Sequence, residues 1–442
     1  MGPSTLDSLP IEVIEIMVTL IDFRDSCNLR LASRTISAKS SNSTFRTHFS
    51  SKKIRVTKEN LRQLVEDTQP GRLGCYIQNL TLIDLPESSG VEKVDRLGAE
   101  ESDYNFGAVE PDTAAAELLS QVMNNLRLNT ARGCLSSLTL MIEVSDTDYW
   151  TPIWKAASNL FQITTLALGE SKIPIQAMDI FSDVSRCSLA CGLIMKMLEN
   201  IDLSPSLKGA KRISLCVSHN QRQGRGDNDP PMESLSVAES HLKAICQFLS
   251  IPSQLEDLQL YWYKLDSFEV TAAQEEEQQI FTRIIQSCQF PFMARFTLKG
   301  VRTSEAELLS FLHPVQLTAL CLEEVYLTPG SFRAIFKYLA AHKERLKFLH
   351  FDNLWDKKLI HFDYAGEPPF PGFPKENLGP ITITRTGATA RRLTRIRPPR
   401  RRIPGSAPAA RWRARRKANF GPPERVFPPG LRLMMGRAIA RQ

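Results

Sequence analysis

Residues 9–34 read LPIEVIEIMVTLIDFRDSCNLRLASR, and the organisation of the chain is read outward from them. Pro10 suits the first position of a helix, where its missing N–H is not needed. From there to Asp22 the polar residues Glu12, Glu15, Thr19 and Asp22 fall three or four apart, on one narrow stripe. Ile11, Val13, Ile14, Ile16, Met17, Val18, Leu20 and Ile21 fill the rest of the circumference. A surface helix needs an apolar stripe only about 100° wide. This helix has far more, so two covers are expected: a small domain of its own on one side and a partner protein on the other. The run is too short and too regularly carboxylated to span a bilayer. A second short helix follows after a tight turn and ends near Arg34.

Several features then fall in a familiar order: Leu9-Pro10, Glu12-Val13-Ile14, Met17-Val18, Leu20, Asp25 and the run Leu29-Arg30-Leu31-Ala32-Ser33-Arg34. Phe45-Arg46 and Phe49 stand where a third helix would carry its aromatic anchor. Together they resemble the F-box, the helical module that docks substrate receptors onto the Skp adaptor of cullin–RING ubiquitin ligases. Ser26 and Cys27 depart from the bulkier apolar residues usual there, and the loop between the first two helices is one residue longer. The resemblance covers residues 5–50 and implies a three-helix domain. Leu9, Pro10, Val13, Ile14, Met17, Leu20, Leu29 and Leu31 would serve the adaptor, some packing internally and some across the interface. It further implies a non-catalytic receptor subunit that reaches a cullin through the adaptor and holds a protein target with the rest of the chain.

Beyond Phe49, Ser51–Val56 reads as a short extended link, and residues 51–362 alternate strand-like and helix-like segments. The strand-like pieces are 77–82, 135–142, 163–168, 212–217, 255–260, 295–298, 317–322 and 346–351. SQLEDLQL, PVQLTALCL and ERLKFLHF each place an apolar residue three before and two after a central one. Helical spacing appears at 113–128, 236–249, 272–288, 304–312 and 331–342. A strand with a return helix cannot bury its apolar face alone, so such units stack on their neighbours. The fold class is therefore read as α/β: an F-box-like domain, an irregular leucine-rich-repeat-like solenoid and a disordered basic tail. A general α/β domain with a parallel sheet fits the same alternation.

Polar or glycine- and proline-rich loops are read at Pro86–Asp112, His219–Glu233 and Asp363–Pro380, the last closing the folded body at 362. The tripeptide Arg225-Gly226-Asp227 is read as chance. Net charge is +7, but the segment from Arg385 holds seventeen Arg or Lys against one acid. The body is thus mildly acidic and the tail strongly basic, two separate things. The tail lacks the apolar content to offset chain entropy. Its clusters Arg400–Arg402 and Arg411–Lys417, with Trp412 and Phe420 as stacking groups, make nucleic-acid binding the alternative function, with the repeats as a non-ligase scaffold.

Nine cysteines, an odd number with no paired spacing, and the lack of a secretory signal point to reduced thiols in the cytosol or nucleus. Cys187 and Cys191 could share a helix face, but no metal site is expected of them. No phosphate loop, dinucleotide turn, nucleophile elbow or zinc-protease motif occurs. No catalytic residue, cofactor or metal is expected, and no membrane span.

Overall fold

The computed structural model describes residues 6–41, 43–86, 111–130, 132–144, 150–184, 187–218, 235–262, 270–356, 358–363 and 379–397. The chain opens with a 3-10 turn at Leu6–Ser8 and four short helices: α1 (Ile11–Leu20), α2 (Phe23–Ala32), α3 (Arg34–Lys39) and α4 (Ser43–Thr47). Where three helices were expected, four are found, the last two being α3 and α4. Asp22 caps α2, accepting from Asp25 N at 2.8 Å, and Ser33 caps α3, accepting from Ile36 N at 3.1 Å.

The remainder is α/β. Its strands are β1 (Ser51–Arg55), β2 (Asn79–Asp84), β3 (Ser137–Ile142), β4 (Ala177–Ile180), β5 (Leu189–Ala190), β6 (Arg212–Ser218) and β7 (Asp257–Trp262). There follow β8 (Arg295–Lys299), β9 (Arg302–Thr303), β10 (Ala319–Glu323), β11 (Tyr326–Leu327), β12 (Phe348–Asp352) and β13 (Thr382–Thr386). Between them run α5 (Lys58–Asp67), α6 (Thr113–Asn129), α7 (Trp150–Ser171), α8 (Cys191–Asn200), α9 (Ser204–Leu207), α10 (Leu235–Ser250), α11 (Val270–Ser287), α12 (Glu305–Leu312) and α13 (Phe332–His342).

The main sheet runs β1-β2-β3-β4-β6-β7-β8-β10-β12-β13, with β5 beside β6. Every pair in it is parallel except β12 with β13. Strand order follows chain order throughout, so there is no reversal of the doubly wound kind. Leu80, Leu138, Met178, Ile213, Leu258, Phe296, Leu320 and Leu349 stand in one register row. Two residues on, Leu82, Leu140, Ile180, Leu215, Leu260, Leu298, Leu322 and Phe351 form a second row, and both rows are buried. The period-two alternation points both rows at the covering helices.

The last three units share more than a strand. Gly300, Glu324 and Asn353 each follow the strand's end and each have positive φ, at 73°, 53° and 52°. A side chain at Gly300 would meet Trp262 O at 2.1 Å, so this turn admits only glycine. The buried Val301, Val325 and Leu354 come next, then a second small parallel ladder of β9 and β11. Tyr326 continues that ladder by stacking on Trp355, with centroids 5.8 Å apart. Ser304 and Ser331 then cap α12 and α13, the former in a full capping box with Glu307.

Three expectations need correction. Residues 163–168 are not a strand but the interior of α7. Leu160, Ile163, Ala167 and Leu168 keep helical spacing, and so many sides of this helix are buried that its run looks continuously apolar. Thr164 and Thr165 return their hydroxyls to Leu160 O and Phe161 O. The strand that occupies the slot is β4, too short to carry the repeated pattern. The presumed link at 51–56 is β1, the first parallel strand. Nor does the folded body stop at 362: Thr382–Thr386 pairs with β12, and ordered chain continues to Arg397. The expected loops at 87–110, 219–234 and 364–378, the tripeptide at 225–227 and the basic clusters from 400 onward lie outside the described residues.

Leu138→Ala, wholly buried in the first row, is expected to cost about 2–5 kcal/mol in urea unfolding. Thr139→Ala, one residue on and facing the other way, should stay within about 0.5 kcal/mol.

Candidate docking surface

The N-terminal helices have a core of their own. Ile14, Val18 and Phe45 are buried, and Leu9, Met17, Cys27, Leu29 and Phe49 pack around them, apart from the large core of the sheet domain. Phe45 and Phe49 lie 5.2 Å apart by ring centroids, Phe23 closes on Phe49 at 5.7 Å, and the Arg30 guanidinium sits 3.9 Å over the Phe45 ring. The entry into α1 is pinned from α3. Lys39 Nζ donates to Asp7 O and Leu9 O, each at 2.7 Å, and Ser33 Oγ donates to the Asp7 carboxylate. This fixes Leu9 and Pro10 against the domain. The module meets the sheet domain where Gln78 N and Asn79 N donate to Ser50 O and where Arg46 lies 4.8 Å over the Tyr76 ring.

On the other side α1 is bare. Ile16 is 60% exposed, Leu20 79% and Leu31 of α2 85%, with Val13, Ile11, Phe23 and Leu6 also exposed. Thus seven of the thirteen large apolar side chains exposed among the described residues fall within Leu6–Leu31. Val13, Ile16 and Leu20 keep the i, i+3, i+7 spacing by which a helix presents anchors to a groove. Glu12 and Thr19 edge this seam. A concentration of exposed apolar groups of this kind marks an interaction surface.

The residues expected to serve a partner divide accordingly. Pro10, Val13, Leu20 and Leu31 are exposed; Leu9, Met17 and Leu29 are half-buried against the small core; Ile14 is wholly inside it. Ile16 was not singled out, yet only Leu20 on α1 among the large apolar residues is more exposed; its place between Val13 and Leu20 on the helical wheel was the available signal. Ser26 is buried with an unpaired hydroxyl, at one of the positions where the sequence departs from bulkier apolar residues.

The second surface is the sheet face opposite the buried rows. Asp179, Ser214, Gln259, Thr297, Cys321 and His350 stand in one register row there. Beside it a groove of about 320 Å³ is lined by Asp257, Gln259, Arg295, Thr297, Cys321 and Phe348. The nearly buried Asp257 carboxylate is held by Arg295 at 2.9 Å and Arg212 at 3.4 Å. Burial raises the Asp179 carboxyl above its ordinary value, even though Ser182 donates to it through hydroxyl and backbone. No helix among the described residues is long and apolar enough to cross a membrane. No protein-family model matches the chain, and no curated protein matches it.

Leu20→Ser should leave the thermal midpoint of the chain unmoved within error, since its side chain is already in water. Ser26→Ala, which removes a buried hydroxyl without a partner, should stabilise the N-terminal module by about 1 kcal/mol in denaturant titration.

Proposed function

We propose that the chain is the substrate-recognition subunit of an SCF-type E3 ubiquitin ligase. In this reading residues 5–50 are an F-box that docks on a Skp-type adaptor and, through it, a cullin. The sheet domain is an irregular leucine-rich-repeat-like solenoid that holds a protein target. The observation that carries the proposal is the pairing of a small private core with an uncovered apolar seam on the same helix. Ile14 and Val18 face inward while Val13, Ile16 and Leu20 face water.

Support for the solenoid comes from strands ordered as the chain is ordered and from the recurrence of strand, positive-φ turn, buried aliphatic residue and capped helix in the last units. The subunit would do no bond chemistry. Holding a target near the ligase's catalytic end raises effective concentration, which turns a rare encounter into an intramolecular one. A cytoplasmic or nuclear setting follows from the ligase reading and from nine free thiols.

Ile16→Asp combined with Leu20→Asp tests the docking directly. Affinity capture with a Skp-type adaptor should fall at least tenfold while circular dichroism and the thermal midpoint stay those of the parent chain. Adaptor recovery equal to that of the parent chain would refute the proposal. Burying three apolar anchors rather than pairing charges also makes capture nearly independent of added salt.

A further inference from the structure

Cys321 and His350 are neighbours across β10 and β12, in direct register although 29 residues apart, and Glu323 lies two residues along β10. Their ligating atoms, Sγ, an imidazole nitrogen and a carboxylate oxygen, all fall within 4.8 Å of one another. We propose that Cys321, Glu323 and His350 form a three-ligand site for a divalent ion of the zinc class. Thiolate, imidazole and carboxylate together match the ligand preferences of zinc and cobalt rather than those of calcium or magnesium.

The two carboxylate oxygens of Glu323 have separate tasks. Oε2 is held by Lys299 Nζ at 2.9 Å, while Oε1 faces Cys321 Sγ at 3.5 Å and His350 Nε2 at 3.9 Å. The lysine therefore steadies the carboxylate from outside and leaves the inner oxygen to the ion. Tetrahedral zinc with ordinary bond lengths sets its ligand atoms roughly 3.3–3.6 Å apart. The cysteine–glutamate pair is already at that spacing, and the histidine–glutamate pair stands a few tenths of an ångström beyond it.

His350 is oriented for the role. Its Nδ1 lies 2.8 Å from Thr384 Oγ1 on β13, so with the proton on Nδ1 it donates to the threonine and turns Nε2 toward the other two ligands. Such an outer partner is the usual companion of a metal-bound histidine. Burial, the largest single influence, pushes the Glu323 carboxyl up, but Lys299, Cys321 and His350 together hold it below its ordinary range. Burial and then Glu323 push the Cys321 thiol the other way, above its ordinary value. A divalent cation is the neighbour that reverses this, releasing the thiol proton to solvent as the sulfur–metal bond forms. Thiolate and carboxylate then neutralise the ion. The fourth position is left for water or for a donor from a bound partner, beside the groove whose wall includes Cys321. The site is independent of the ligase reading.

The test is titration of the full, reduced, metal-stripped chain with Co²⁺, followed optically. One equivalent is expected to give thiolate-to-cobalt absorption that Zn²⁺ then displaces. Cys321→Ser should abolish that absorption, His350→Gln should weaken Co²⁺ binding at least tenfold, and Thr384→Val should weaken it by roughly 10–100-fold. Circular dichroism checks that each variant is folded, and His350→Gln decides the matter should the serine variant not fold. Absence of thiolate absorption in the parent chain, its persistence in Cys321→Ser, or unchanged affinity in His350→Gln would overturn the proposal.

Discussion

Parallel pairing of neighbouring main-sheet strands, in chain order from β1 to β12, is the constraint on which the sheet domain depends. A parallel pair cannot be closed by a tight turn; it needs a crossover long enough to return the chain to the starting edge. Here the crossovers are mostly helices, and they can cover the sheet only if every strand points its apolar residues the same way. Two unbroken buried rows from Leu80 to Leu349 and from Leu82 to Phe351 meet that demand. A slip of one residue in any strand would turn its leucines toward the polar face. Register and burial therefore enforce each other, and the same register brings the polar row, including Cys321 and His350, into line on the other side.

What could be read from the residues follows from how local each signal was. The strands with alternating Leu-x-Leu and the helices with a serine or aspartate cap were legible, because pattern and punctuation lie within a few residues. The capping box at Ser304 and Glu307 is such a signal. Helix α7 was not, since burial on most sides erases the polar stripe by which a helix declares itself. Strands β1, β4 and β13 were missed for a different reason. Each is short and has only one or two buried residues, so its identity comes from the neighbour it pairs with rather than from its own composition. The cluster at Cys321 was illegible in the same sense: residues 29 apart meet only once the register is known.

The N-terminal helices obey a different economy. Their core is three buried side chains and a few partial ones, which is small for an independent domain. Capping aspartate and serine, the Lys39 clamp on the Leu9 turn and the ring contacts among Phe23, Phe45 and Phe49 make up part of the difference. The apolar groups that would have enlarged this core are placed on the outside instead.

The two ends of the sheet are not alike. At one, β1 shows Lys52, Lys53 and Arg55 to water, charges of the kind that discourage another strand from joining. At the other, β13 runs backward along β12 and ends the parallel series. Neither border can accept a further unit without loss. A further strand and helix would therefore find matching leucines on both flanks only in the interior of the sheet.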